Sequence, residues 1–229
     1  MTIPNSEFRI PNFVKRVTLF CGHYGSGKTN LAVNYALWLR EQNLPAALAD
    51  IDVVNPYFRS KDSEKELTAA GVRVIALPFA NSSVDLPSLP SEVYGLVQRR
   101  DVYAVLDIGG DERGALALGR FAPYIAAEND YEMFFVVNFY RPLTPDAESA
   151  LEVMREIEAA VPLRFTAIIN NSNLGEETTP EDIEKTLPQA ERLSALTGLP
   201  IAFTSADARL SGQVKAENVF YISLQKKPF

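Results

Sequence analysis

One segment of eight residues limits what this chain can fold into more than any other part of its sequence. It follows the apolar run Val17–Cys21, precedes a stretch of helical period at residues 29–42, and reads Gly22-His23-Tyr24-Gly25-Ser26-Gly27-Lys28-Thr29. A glycine-rich turn that ends in Lys-Thr, between a strand and a helix, matches the G-x-x-x-x-G-K-T pattern of a phosphate-binding loop. Its glycines let the backbone turn tightly, so that N–H groups and the positive end of the helix face phosphate oxygens. The segment predicts a phosphate site after the first strand.

The chemistry of these residues predicts different roles for them. Lys28 would neutralise charge on the β- and γ-phosphates, which makes it a catalytic residue, and the Thr29 hydroxyl would bind Mg²⁺. The expected ligand is ATP with Mg²⁺, held by Gly22, His23, Tyr24, Gly25, Ser26, Gly27, Lys28, Thr29 and Asn30. A turn without a ligand would explain the glycines, but it would not explain Lys-Thr at the required offset.

Two carboxylates follow the second apolar run, residues 46–49. Asp50 and Asp52 are two positions apart, so the alternation of side chains along a strand places them on the same side. Ligands of α/β sheets bind at the carboxyl ends of strands. One carboxylate would therefore order the Mg²⁺ shell, and the other would orient or deprotonate the attacking water. A helix cap or a turn near Asn55-Pro56 is the alternative interpretation.

A third acid, Asp107, ends the apolar run at residues 102–106 and precedes Ile108-Gly109-Gly110. This arrangement is typical of a Walker B strand, whose carboxylate would hold Mg²⁺ through water. Gly109 or Gly110 can bring a backbone N–H close to a γ-phosphate, so Gly110 is a candidate nucleotide-binding residue. An acid that caps a helix near Arg113 would explain Asp107 without a metal.

Short apolar or β-branched runs alternate with segments of helical period along the chain. The runs are residues 17–21, 46–49, 72–76, 102–106, 133–137, 165–169 and 201–203, and residues 219–224 also resemble a strand. Such strands are buried on both faces, which predicts a mostly parallel sheet of about seven strands in a three-layer α/β/α P-loop NTPase fold. Helices are expected at residues 29–42 and 145–160, and another should start at Thr179-Pro180-Glu181-Asp182. Residues 1–15 would form an N-terminal extension, and residues 16–229 a single nucleotide-binding domain.

Composition and charge argue against several classes of protein. The 229 residues are 47% hydrophobic, and they include 22 basic residues, 29 acidic residues and one cysteine, Cys21. A net charge of -7 leaves no basic excess for general nucleic-acid binding. A single cysteine provides no internal disulfide and no cysteine set for zinc or an iron–sulfur cluster. Residues 1–11 lack the features of a signal peptide, and no apolar run is long enough for a membrane span, so a cytoplasmic protein is expected.

Together these motifs resemble the MinD/ParA/CobQ-type nucleotide-binding proteins, a branch of the P-loop NTPases in the SIMIBI class. The resemblance covers roughly residues 16–205 and rests on the phosphate loop, on Asp50-Ile51-Asp52 and on Asp107-Ile108-Gly109-Gly110. It implies that Asp52 is the residue tied to hydrolysis, which leaves Asp50 to the metal. It also implies that an asparagine after a late strand contacts the adenine, here Asn170 or Asn171. An asparagine-rich turn would explain those two residues without a ligand.

One position departs from this family. Members that dimerise around ATP have a lysine near the start of the loop, where this chain has His23. A neutral imidazole is a weaker and pH-dependent substitute for a fixed cation, so a homodimer is possible but not implied. His23 would either contact phosphate or lie on the surface of the loop.

Three functions are compatible with the sequence. The leading hypothesis is an ATPase whose nucleotide state changes residues 52–60 and 107–114 and thereby controls binding to an unknown protein partner. A second is an ATP-dependent ligase or kinase of cofactor metabolism, similar to the CobQ and dethiobiotin synthetase members. It would need a second pocket, for which residues 77–90 are the obvious place. The third is a nucleotide-binding module that does not hydrolyse its ligand.

Overall fold

A parallel sheet forms the centre of the molecule. The computed structural model describes Phe8 and residues 14–51, 61–76, 91–109 and 112–224. In these residues the sheet has eight strands in the order β3-β2-β4-β1-β5-β6-β7-β8, and all neighbouring strands are parallel. The strands are β1 (Val17–Cys21), β2 (Ala46–Asp50), β3 (Arg73–Ala76), β4 (Tyr103–Asp107), β5 (Tyr131–Val137), β6 (Ala167–Asn170), β7 (Ile201–Asp207) and β8 (Val219–Ile222).

Helices connect successive strands of this sheet. Those in the described residues are α1 (Lys28–Glu41), α2 (Lys61–Ala69), α3 (Ser91–Gln98), α4 (Glu112–Glu128), α5 (Ala147–Ala160), α6 (Pro180–Glu184) and α7 (Leu187–Thr197), with 3₁₀ turns at Gly175–Glu177 and Ala208–Leu210. None of these helices combines the length and the apolar character that crossing a bilayer requires.

Both faces of the sheet are covered, as the apolar runs predict. On β1, Val17, Leu19 and Cys21 belong to one buried cluster, whereas Phe20 points to the other face and belongs to a second. Helices α3, α4, α5 and α7 contribute to the first cluster, and α1 and α2 contribute to the second. The predicted three-layer α/β/α architecture is confirmed. Burial on both faces explains why these strands are apolar throughout instead of alternating with polar residues.

The starts of two helices follow from local hydrogen bonds. The Asp146 carboxylate accepts a hydrogen bond from the N–H of Ser149 at 2.8 Å, so α5 begins at Ala147, two residues later than predicted. The capping box predicted before α6 is confirmed. Thr179 Oγ1 accepts from the N–H of Asp182 at 3.2 Å, and the Thr179 N–H donates to the Asp182 carboxylate at 3.0 Å.

Phe8 attaches part of the predicted N-terminal extension to the body of the protein. Its side chain is buried in the cluster on the α1 side of the sheet. Its ring centroid lies 4.4 Å from that of Phe220, 5.1 Å from that of Phe203 and 5.3 Å from that of Trp38. Burial of a phenylalanine contributes about 2 kcal/mol, so this residue belongs to the core of the domain even though it precedes β1.

A buried ion pair joins three elements at the amino-terminal edge of the sheet. The guanidinium of Arg16 donates to both carboxylate oxygens of Glu128, at the end of α4. It also donates to the backbone carbonyls of Val97, in the last turn of α3, and of Arg99, just after that helix, each at 2.7 Å. The hydrogen bonds from Arg16 hold the pKa of the Glu128 carboxyl below its ordinary value. The pair therefore stabilises the fold when Glu128 is ionised.

Replacement of this carboxylate should expose its contribution to stability. We expect Glu128→Gln to lower the free energy of unfolding by about 2 kcal/mol at pH 7, because Arg16 remains buried without its counter-charge. A depressed pKa in the folded state stabilises the protein above the unfolded pKa, near 4.5, and that contribution is lost as the pH falls through the folded value. The difference between wild type and Glu128→Gln should therefore shrink below about pH 4.5 in urea titrations.

The matched control is Glu148→Gln, which removes one half of the exposed pair between Glu148 and Arg192. Its effect should stay within about 0.5 kcal/mol. Equal stability of the two glutamine variants at pH 7 would contradict a structural role for the Arg16–Glu128 pair.

Candidate functional site

The predicted phosphate loop lies at the carboxyl-terminal edge of the sheet, at its centre. It follows β1, which pairs with β4 on one side and with β5 on the other. Because all strands are parallel, the residues that follow β2, β4, β5 and β6 leave the sheet at the same edge. Ligands of open α/β sheets bind at this edge. The topology thus brings Asp50, Asp107 and the predicted phosphate loop to one edge of the sheet.

Two glycines of the loop occupy positions that admit no side chain. Gly22 has a φ of +154°, and a Cβ atom there would lie 2.3 Å from the carbonyl oxygen of Val136. Gly27 has a φ of +88°, and a Cβ atom there would lie 2.3 Å from Nδ2 of Asn171. Close contact with β5 and with the residue after β6 therefore explains two of the three glycines in the motif.

The loop presents polar groups that lack partners inside the described part of the chain. The N–H groups of Gly25 and Gly27 have no acceptor among these residues, and the buried Oγ of Ser26 has no hydrogen-bond partner there. Helix α1 begins immediately afterwards, with Gly27 as its N-cap and with no side chain capping it. Unpaired N–H groups at the start of a helix bind anions, because they and the helix dipole both favour negative charge. The loop thus fits the phosphate group predicted for it.

Lys28 lies across this loop and is almost completely buried. Its ammonium group donates to the carbonyl oxygen of His23 at 3.2 Å, so the cation is held at the mouth of the loop. The imidazole Nδ1 of His23 lies 3.0 Å from the carbonyl oxygen of Tyr24. The side chain of Tyr24 is 63% exposed. Lys28 is the one lysine or arginine within residues 22–29.

The three predicted Mg²⁺ ligands lie together. Thr29 Oγ1 donates to Oδ2 of Asp107 at 2.5 Å, and Asp107 is buried. Asp50 is also buried and is the direct register partner of Asp107 across β2 and β4. In the described residues, no cluster of three histidine, cysteine or acidic side chains forms a closed metal cage. The donor set instead suits Mg²⁺, which keeps several waters and binds one or two carboxylates together with phosphate oxygens.

Several predicted residues lie outside the described part of the chain. They are Asp52, Gly110 and the segments 52–60 and 77–90. Ile51, the residue before Asp52, is buried, and its N–H donates to the carbonyl oxygen of Asp107 at 2.9 Å. The backbone thus leads from β2 toward the predicted metal ligands, and the roles of Asp52 and Gly110 stay predictions.

Neither candidate adenine-contacting asparagine exposes its amide to solvent. Asn170 is fully buried, donates to Oγ1 of Thr186 at 3.0 Å, and accepts from Oγ of Ser172 at 2.7 Å. Asn171 donates from Nδ2 to the carbonyl oxygen of Ser26 at 2.5 Å and accepts from the hydroxyl of Ser205. Asn171 also lines a narrow cleft next to the phosphate loop, which Asn170 does not. The two residues therefore have different surroundings.

That cleft lies at the carboxyl ends of β6, β7 and β8. Besides Asn171, its lining includes Asn173, Thr178, Ser205 and Asp207, with Ile183 and Ile222 as apolar walls. The Asp207 carboxylate is paired with Arg209, which donates to it from its backbone N–H at 3.0 Å and from Nε at 2.9 Å. The cleft is small in this structure, with room for about one water molecule.

The turn after β5 carries two further side chains near the loop, Asn138 and Arg141, to which the sequence analysis assigned no role in the site. Arg141 donates from Nε to the carbonyl oxygen of Gly25 at 2.8 Å. The buried side chain of Asn138 links the turns after β5 and β6, because its Oδ1 accepts from the N–H of Tyr140 at 3.0 Å and its Nδ2 donates to the carbonyl of Asn173 at 3.2 Å. The signal in the sequence was the polar Asn138 and Arg141 just after an apolar strand, but the sequence does not say that this strand adjoins β1.

Comparison with known proteins identifies the fold. No protein-family model matches the sequence, and no curated protein sequence is similar to it. Chloroplast FtsY from Physcomitrella patens aligns with 86% of this chain and 60% of its own, at a TM-score of 0.56 and 15% identity. FtsY from Thermotoga maritima aligns with 88% of this chain and 65% of its own, at a TM-score of 0.55 and 17% identity.

The Signal Recognition Particle 54 kDa protein from Aeropyrum pernix K1, solved in complex with GDP, aligns with 85% of this chain and 42% of its own. Its TM-score is 0.53 and its identity 18%. This chain thus spans less than two thirds of each of these proteins. At such identities the likeness establishes the fold alone, which is the three-layer α/β/α P-loop NTPase fold. The narrower resemblance to MinD and ParA stays a prediction.

The geometry of Gly27 yields a testable prediction. We expect Gly27→Ala to lower the free energy of unfolding by roughly 1–2 kcal/mol, because alanine is strained at positive φ. Its Cβ atom would also displace the amide of Asn171 from the loop. The control is Gly95→Ala in α3, where an added Cβ meets nothing within 4 Å and where alanine should stabilise the helix by up to about 1 kcal/mol. Urea denaturation of both variants checks this, and equal midpoints would refute the steric account of Gly27.

Proposed function

We propose that this chain binds ATP with Mg²⁺ on the loop between β1 and α1, hydrolyses it slowly, and uses its nucleotide state to control binding to a protein partner. The observation that carries the proposal is the contact of Thr29 with Asp107, which lies beside Asp50 at the mouth of a loop that contains Lys28. These residues supply a hydroxyl, two carboxylates and an ammonium group at one point. When bound by Thr29, Asp50 and Asp107, Mg²⁺ would neutralise negative charge on the phosphates.

Each of these residues has a separate task in the proposal. Lys28 would exchange the carbonyl of His23 for phosphate oxygens, which makes it a contributor to affinity and to stabilisation of the transferred charge. Thr29 would bind the metal directly. Asp107 would hold metal-bound water, with Asp50 completing the polar shell. Cys21 takes no part, because burial raises the pKa of its thiol and keeps it neutral.

The residues after β6 support adenine in preference to guanine. The Watson–Crick edge of guanine presents two neighbouring donors, whose natural complement is a carboxylate. Adenine presents a donor beside an acceptor, and a side-chain amide complements that pair. Residues 170–173 contain three asparagines and no acid, and the carboxylate of Asp207 nearby is paired with Arg209. We assign the adenine contact to Asn171, since it lies against the loop and its amide keeps one N–H and one acceptor lone pair beyond its bonds to Ser26 and Ser205.

The proposed switch rests on where β2 and β4 leave the sheet. The strands are direct neighbours, and their last residues, Asp50 and Asp107, are register partners. The segments that follow them, residues 52–60 and 107–114, therefore start beside the predicted Mg²⁺ ligands. A γ-phosphate at this point would contact both segments, and its loss would release them. In this scheme Asp52 orients or deprotonates the attacking water.

The two other hypotheses predict different products. A ligase or kinase would transfer the phosphoryl group to a small acceptor, and residues 77–90, its predicted second pocket, lie outside the described residues. A non-hydrolysing module would bind ATP without turnover. Measurement of phosphate released from MgATP without any added acceptor separates the switch from both.

Lys28→Ala tests nucleotide binding. We expect calorimetric titration with MgATP to show about 100-fold weaker binding than wild type, because a buried charge-assisted contact to phosphate is lost. The control is Lys215→Ala, which replaces an exposed lysine before β8. This variant should bind MgATP with the affinity of wild type. Wild-type protein that binds neither ATP nor GTP would refute the proposed function, and a preference for GTP would refute the assignment of adenine alone.

Asp52→Ala tests hydrolysis. The variant should bind MgATP as wild type does and release phosphate at least about 100-fold more slowly, because it lacks the group that activates water. Phosphate release is followed under saturating MgATP, in the same samples as the titrations. A normal rate in Asp52→Ala would show that another residue activates the water.

A further inference from the structure

The first observation is that Arg141 lies against the outside of the phosphate loop. Its Nε donates to the carbonyl oxygen of Gly25 at 2.8 Å. A Cβ atom on Gly25 would be 3.5 Å from that Nε and 3.7 Å from Cδ of Arg141, so the guanidinium lies in van der Waals contact with this position of the loop. The contact joins residues 116 positions apart in the chain. It therefore depends on the pairing of β1 with β5.

The second observation is that this contact fixes one peptide group at both ends. The peptide between Gly25 and Ser26 has its carbonyl bonded to Arg141 and its N–H bonded to the carbonyl of His23 at 3.2 Å. The next carbonyl, that of Ser26, accepts from Asn171 at 2.5 Å. Two consecutive carbonyls are thus held by side chains from outside the loop. The N–H groups of Gly25 and Gly27, on either side of the fixed peptide, have no acceptor in the described residues.

The third observation is that Arg141 is itself held in place and carries an unneutralised charge. It lies in a turn in which its N–H donates to the carbonyl of Asn138 at 3.1 Å and its carbonyl accepts from the N–H of Thr144 at 3.0 Å. Thr144 Oγ1 also donates to the Asn138 carbonyl at 2.8 Å. The two terminal amino groups of the guanidinium have no acceptor in the described part of the chain, and no carboxylate there is within salt-bridge distance. The charge is thus available to act on the loop and its ligand.

We propose that Arg141 is a positioning residue for the phosphate site. It orients the Gly25–Ser26 peptide so that the neighbouring N–H groups stay free for phosphate, and its charge adds to that of Lys28. The inference rests on the proposed function, because it concerns the affinity of the same loop. Orientation of the Gly25–Ser26 peptide needs a planar guanidinium, since its Nε–H lies in a fixed plane with the charged group. A lysine would retain the charge but would have no Nε–H to hold the carbonyl.

Nucleotide affinity is the first test. We expect Arg141→Ala to bind MgADP about 10-fold more weakly than wild type in calorimetric titrations, because a charge-assisted hydrogen bond and a cation are lost together. Arg141→Lys should bind with intermediate affinity, about 3-fold below wild type. The control is Arg164→Ala, an exposed arginine at the opposite edge of the sheet that pairs with Glu158, and its affinity should not change. The proposal would be overturned if the MgADP affinity of Arg141→Ala stayed within about 2-fold of wild type, or if that of Arg141→Lys equalled wild type.

Loop geometry without nucleotide is the second test. In the nucleotide-free protein, the N–H of Ser26 should exchange with solvent about 10-fold faster in Arg141→Ala than in wild type, as measured by NMR. Exchange in the core strands should be the same in both, since Arg141 is exposed. Unchanged exchange at Ser26 would overturn the positioning role even if nucleotide binds. If wild type binds no nucleotide but Ser26 exchanges faster in Arg141→Ala, the proposed function fails while Arg141 still orients the loop.

Discussion

A loop that binds phosphate must keep several N–H groups without an acceptor in the protein, although unpaired polar groups in a partly buried loop cost free energy. In this chain, the loop conformation that leaves these N–H groups unpaired depends on the side chains that hydrogen-bond the carbonyl groups of the loop. The carbonyls of His23, Gly25 and Ser26 accept from Lys28, Arg141 and Asn171, respectively. Because each of these carbonyls is held by a side chain, the peptide planes of the loop cannot rotate freely. The conformation of the predicted anion site therefore depends on residues that follow several different strands.

The parallel sheet is what makes that convergence possible. Every strand in the described residues runs in the same direction, so every strand ends at the same edge. β1 lies between β4 and β5, which places Asp107 on one side of the loop and Arg141 on the other. Apolar residues on both faces of the strands hold the sheet between two layers of helices. Packing of this kind is dense and deforms little, so groups at the strand ends keep their relative positions.

Interactions that stabilise the fold are concentrated away from the phosphate site. The Arg16–Glu128 pair joins β1 to α3 and α4 at the opposite edge of the sheet, and the ring of Phe8 packs with Trp38 and Phe220 on one face. At the carboxyl edge, by contrast, Gly22 and Gly27 adopt positive φ and Ser26 leaves a buried hydroxyl unpaired. Local features that would be unfavourable in an ordinary turn are expected where a ligand binds. The concentration of such features at the carboxyl edge of the sheet supports a ligand site there, without reference to any similar protein.

The amino-acid sequence by itself determined the layers of the fold, the phosphate loop, the acid at the end of β4 and the capping box at Thr179. Each of these depends on residues that are close together in the chain, where apolar runs, glycines and capping groups act over a few positions. It did not determine the order of the strands. The contacts of Arg141 with Gly25 and of Asn171 with Ser26 span 116 and 145 residues, and that of Phe8 with Phe220 spans 212. Only the tertiary structure decided them, because strand order follows from packing the whole sheet between its helices, and no local pattern of side chains records which strands become neighbours.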